Sequence, residues 1–78
     1  MNIQDQNNDF ARIERLLRSN GFDNVKRWIS DRPYTITALE VYSSPILMST
    51  NIIKIRNLLP DHSVTGNTNQ SYILIKQL

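Results

Sequence analysis

The chain has no cysteine. No disulfide, thiolate metal site or thiol nucleophile can form, and a small domain without such staples fits a reducing, cytoplasmic setting. Histidine occurs once, as His62, so a multi-histidine metal centre is excluded too. Glycine is almost as scarce. Gly21 and Gly66 are the only two, and neither belongs to a phosphate-cradling loop. Long apolar runs are missing: "PILM" and "YILI" are far short of the ~20 residues that span a bilayer. The opening "MNIQDQNNDF" lacks the basic-then-apolar pattern of a secretion signal. The sequence therefore reads as a soluble protein with no membrane segment, no metal and no cofactor.

Charge of one sign is also in short supply. Nine basic and seven acidic residues leave a net charge of +2, which holds a nucleic acid only where the charges cluster. What remains is ordinary globular composition, with 40% hydrophobic and 21% charged residues over 78 positions. That length makes one domain with one core. Such a chain buries only about 60–65% of its unfolded surface, so its stability is thin.

Residues 1–8 are rich in Asn and Gln and read as a flexible tail ahead of a single domain over 9–78. A helix is expected over 9–20, capped by Asn8 or Asp9, with Phe10, Ile13 and Leu17 on its apolar stripe and Leu16 widening it. Glu14 and Arg18 stand four apart in the favourable order, and Asn20-Gly21 is a stop signal. Residues 24–30 fit either a strand or a helix. The β-branched and aromatic content of "VKRWI" and the turn chemistry of "SDRP" favour the strand.

"YTITALEVYS" is a strand whose apolar phase shifts near Ala38. Two readings follow: a strand covered on both sides, or a bulge that resets the register. Ser44-Pro45 opens a second helix, with Ser49 or Thr50 as a later start, that Pro60 ends. Met48, Ile52, Ile55 and Leu59 form its stripe, which Ile46, Ile53 and Leu58 are expected to broaden. "HSVTG" and "SYILIKQL" are the last two strands, joined by a loop at "NTNQ". The fold class is thus α+β, in the order α-β-β-α-β-β. Both helices pack on one face of a small, mainly antiparallel sheet.

"LLPDHSVTG" places His62 between an acid and a hydroxyl, but Asp61-His62-Ser63 reads as a turn. Catalytic triads converge through the fold, and adjacent strand residues face opposite sides. The acids show no helical pairing over a predicted helix, so no catalytic residue is assigned. Glu40, in a strand apolar on both faces, is expected at the edge or paired with a cation.

Arg12, Arg15, Arg18, Lys26, Arg27 and Arg32 crowd into 21 positions, with Trp28 and Tyr34 nearby. The expectation is a non-enzymatic binding module with a macromolecular partner. A protein partner leads, in an accessory, inhibitory or regulatory role of the phage or mobile-element kind. Contact would run through Arg12, Arg15, Arg18, Arg27 and Arg32, with Trp28 or Tyr34 as an aromatic anchor if exposed. The alternative is nucleic-acid binding on the same basic flank. The bland reading of Trp28 is a core residue. A homodimer by sheet extension would follow if the last strand lay at an edge, although its two apolar faces suit a central position.

Overall fold

A computed structural model describes residues 2–78. Helix α1 (Ile3–Ser19) leads to strands β1 (Val25–Asp31) and β2 (Tyr34–Tyr42). A single 3-10 turn (Pro45–Leu47) then runs directly into α2 (Met48–Leu58), which is followed by β3 (His62–Asn67) and β4 (Tyr72–Gln77). The strands form one antiparallel sheet in the order β1-β2-β4-β3. This is the α+β arrangement that the hydrophobic pattern predicts. Strands β2 and β3 both oppose β4, which lies between them, so they run parallel and α2 is their crossover. Among the described residues no helix is long and apolar enough to cross a membrane.

The first helix starts earlier than its apolar stripe suggests. Residues 3–8, expected to be flexible tail, form its first turns, and Met1 lies outside the described residues. Asn2 is the cap, its side chain accepting from the Asp5 amide at 2.8 Å, so neither Asn8 nor Asp9 has that role. The polar start is held from the sheet. Strand β4 pairs with β2 only over residues 39–42, leaving the far half of that β2 edge without a strand partner. Side chains of α1 take its place: the Ile36 amide donates to Asn7 Oδ1 at 2.7 Å, and Gln6 Nε2 donates to the Ile36 carbonyl at 2.8 Å. The helix ends as predicted. Gly21, at φ +90°, lets the Phe22 amide reach the Leu17 carbonyl and the Gly21 amide reach that of Arg18.

The ambiguous stretch 24–30 resolves as a strand, β1, which begins at Val25 and runs on to Asp31. The shifted phase in β2 resolves as a bulge. Trp28 pairs with Ala38 but Ile29 pairs with Ile36, so Thr37 is the extra residue. Its effect is to keep Ile36, Leu39 and Val41 all on the face that carries the helices. There they join Phe10, Ile13, Leu17, Met48, Ile55, Val64, Ile73 and Ile75 in one core. Truncating any of these side chains fully buried there costs about 2–5 kcal/mol.

The second helix buries Met48, Ile55 and Leu59, with Ile52 partly covered, as its stripe predicts. Two side chains expected to broaden that stripe do not. Ile46 and Ile53 point away from the core and are exposed. Ser44 precedes the 3-10 turn, but its hydroxyl makes no capping bond. The last strand has neighbours on both sides, so it offers no free edge for pairing with a second chain. The edges are β1 and β3. The outward Val64 carbonyl of β3 is taken by two guanidinium nitrogens of Arg56 at 3.2 and 2.9 Å.

Candidate interaction surfaces

All five arginines singled out by the sequence are exposed, but three of them are held in ion pairs with this chain's own acids. Arg12 is paired with Asp9 at 2.8 Å. Arg18 pairs with Glu14 at 3.3 Å, as the four-residue spacing predicts, and donates to the Asp23 carbonyl at 2.6 Å. Arg27 lies on the helix side of β1, reaching Glu14 at 2.8 Å and the Tyr34 hydroxyl at 3.4 Å. Burial alone raises the Glu14 carboxyl pKa, but Arg27 and Arg18 outweigh it and hold the group below its ordinary value. The hydrogen bond to Glu14 in turn raises Arg27. Arg18 and Arg27 thus knit α1 to β1 and the turn before it, while the Arg12 pair stays within α1. Arg15 and Arg32 are exposed and make no ion pair among the described residues. Tyr34 sits half-exposed at the start of β2, near the turn that holds the cis Arg32–Pro33 bond.

Trp28 is not in the core. It belongs to the face of the sheet that no helix covers and is 37% exposed. Register partners share a face, which assigns the rest of this surface. Lys26, Glu40, Leu74 and Thr65 form one row, and Tyr42, Tyr72 and Asn67 another. Lys76 and Ser63 complete it. The indole lies across the sheet. Its Nε1 donates to Glu40 Oε1 at 3.1 Å, its ring meets Tyr72 edge-on at 6.3 Å between centroids, and its partner Ala38 is fully buried. The expected pairing of Glu40 with a cation is therefore replaced by a bond to Trp28. Tyr42 stands more openly, at 55% exposed.

A second surface lies on the outward side of the 3-10 turn and α2. Ile46 is 93% exposed, Leu47 53% and Ile53 60%. Ile46 and Ile53 are seven positions apart, which puts them on one stripe of a continuous helical segment. Leu47 and Tyr42 also border an open groove of about 550 Å³, lined further by Phe22, Ser43, Asn51 and Lys54. Ser43 is buried at its base and accepts from Asn51 Nδ2 at 2.9 Å.

His62 begins β3 but is more than a turn residue. Its ring is 8% exposed, and Nε2 lies 2.8 Å from Asp9 Oδ2, which also accepts from Gln77 Nε2 at 2.9 Å. Burial by itself raises the Asp9 carboxyl, but the bonds from Arg12, His62 and Gln77 outweigh it and hold the pKa at about 2. The histidine's partner is an acid 53 residues away, not its neighbour Asp61. Glu40 lies on the other face of the sheet, so the two do not converge. Among the described residues no three His, Cys, Asp or Glu side chains gather as a metal-binding group.

Sequence reasoning grouped Trp28 with Lys26 in the basic cluster but missed Tyr42, Tyr72 and Lys76 as its companions. The alternation Tyr72-Leu74-Lys76 against Ile73-Ile75 carried the signal, because only the second set is uniformly aliphatic. Ile46 and Ile53 gave no such warning, since a helix with apolar residues on more than one side reads as a broad buried face. No protein-family model, no curated protein and no solved structure matches this chain.

Proposed function

We propose that this protein is a small non-enzymatic binding module that docks a protein partner on the outward stripe of its 3-10 turn and second helix. The observation that supports this most is Ile46, 93% exposed beside the open side chains of Leu47 and Ile53. Branched aliphatic groups gain by leaving water, yet offer no stacking surface to a base and no charge to a phosphate. Their fitting occupant is another apolar protein surface. Asn51 and Lys54, at the neighbouring groove, supply the polar border that such a contact uses. An accessory or regulatory role in a reducing, cytoplasmic setting agrees with the missing cysteines. The ion pairs of Arg12, Arg18 and Arg27 with Asp9 and Glu14 offset part of the charge of the basic flank, which favours the helical stripe as the contact surface.

The test is a comparison of the tagged chain with its Ile46→Asp/Ile53→Asp variant in crosslinked extract, with circular dichroism to check the fold. The reading expects a partner that wild type and Trp28→Ala both capture and the double variant loses. A concentration-dependent dimer that the same two changes dissolve would make the partner a second copy. Equal capture by wild type and double variant, or no capture and no dimer, ends the proposal.

A further inference from the structure

We infer that the uncovered face of the sheet is a separate site for single-stranded nucleic acid. Three aromatic side chains from three adjacent strands share it: Trp28 on β1, Tyr42 on β2 and Tyr72 on β4. The indole is 37% exposed and is held in place by Glu40 and Tyr72, so its ring need not be ordered on binding. Tyr42 adds a second, more open ring directly opposite Tyr72. Unpaired bases stack on such rings whatever their sequence, which makes stacking the main source of affinity.

Charge complementarity points the same way. The cations of this face are Lys26 and Lys76, neither in an ion pair among the described residues. Its one acid, Glu40, is engaged by the indole N–H. Ser63, Thr65 and Asn67 along β3 provide neutral hydrogen-bonding groups on the same side. A duplex keeps its bases stacked inside and gains little from the rings, so the site discriminates in favour of single strands. With only two lysines, the salt dependence should be shallow. At about −0.7 per phosphate neutralised on a single strand, the log–log slope is about −1.4.

The experiment is fluorescence anisotropy of a labelled oligothymidine titrated with the full chain over a series of salt concentrations. The proposal expects saturable binding with quenching of Trp28, a slope of about −1.4, and weaker binding of a duplex of equal length. Trp28→Ala should lose about tenfold or more in affinity while Trp28→Phe keeps most of it. Tyr42→Ala, on an exposed ring, repeats the test without touching the indole. Lys26→Ala should flatten the slope by about 0.7. Ile46→Asp/Ile53→Asp should bind the oligonucleotide as wild type does, which separates this site from the helical stripe. No anisotropy change at the lowest salt, binding that survives both aromatic variants, or equal affinity for duplex would overturn it. So would a self-association that Trp28→Ala dissolves, since a second copy would then own this face.

Discussion

Asn7 stands in for a missing strand opposite Ile36. Its side-chain oxygen accepts from the Ile36 amide at 2.7 Å, while neighbouring Gln6 donates to the Ile36 carbonyl at 2.8 Å. Both bonds are partly buried, so losing a partner leaves a main-chain group without compensation. Asn7→Ala should therefore destabilise the fold by about 1–3 kcal/mol in urea denaturation, and Gln6→Ala by a similar amount. Asn8→Ala, on an exposed side chain next in line, should change stability by no more than about 0.5 kcal/mol. Equal effects at positions 7 and 8 would show that helix propensity, not the sheet contact, sets the cost.

Asp9 ties the first helix to both C-terminal strands, and the tie depends on its charge. Its folded pKa of about 2 lies below the ordinary value of 3.8. The stabilisation is therefore fully present above pH 3.8 and is lost as pH falls through about 2. The shift corresponds to about 2 kcal/mol, an upper figure for a group that keeps some contact with water. Asp9→Asn should be less stable than wild type near neutral pH, and the gap should close across that acid window. Denaturation curves recorded at several acidic pH values measure it directly. A gap that stays constant down to the acid limit would mean the carboxylate contributes through shape alone.

What could be read from the residues follows physical range. The apolar stripe of α1, its glycine stop and the phase shift in β2 are local patterns, and each appears in the structure as a feature of the predicted kind. The Asn- and Gln-rich start was misread because its partners are remote. Gln6 and Asn7 look like tail residues until β4 proves too short to cover β2. His62 was misread for the same reason, since nothing near it in sequence announces Asp9. The contact surfaces were least legible. An arginine cluster looks like a docking flank, yet a single acid, Glu14, absorbs two of its members. Periodicity places Ile55 at the centre of the α2 stripe, but it cannot say how wide the buried stripe is, and so whether Ile46 and Ile53 at its margin face out.

Gly66 allows α2 to lie close against the edge strand β3. A Cβ built there would sit 2.6 Å from Ile52 Cδ1 and 3.0 Å from Met48 Sδ. Both are ends of flexible side chains, so a single methyl can be accommodated by small rotations. A branched side chain cannot, and Gly66→Val should cost about 1–3 kcal/mol by overpacking. Combining it with Ile52→Ala should cost less than the two single effects added together, because each change relieves the other. Strict additivity in thermal or urea denaturation would show that the helix does not press on this position.

Trp28 offers the most direct check on which face of the sheet is open. The indole is partly solvated, and its ring and N–H are engaged by Tyr72 and Glu40 rather than by the core. Its emission should be readily quenched by acrylamide in the native state. Trp28→Ala should cost about 1–2 kcal/mol, covering the aromatic contact and the modest area it shields. Ile55→Ala, fully buried under α2, should cost about 2–5 kcal/mol in the same assay. A native spectrum as protected as that of a core tryptophan, or a Trp28→Ala loss as large as that of Ile55→Ala, would put the indole inside the fold. The uncovered face would then have to be drawn elsewhere.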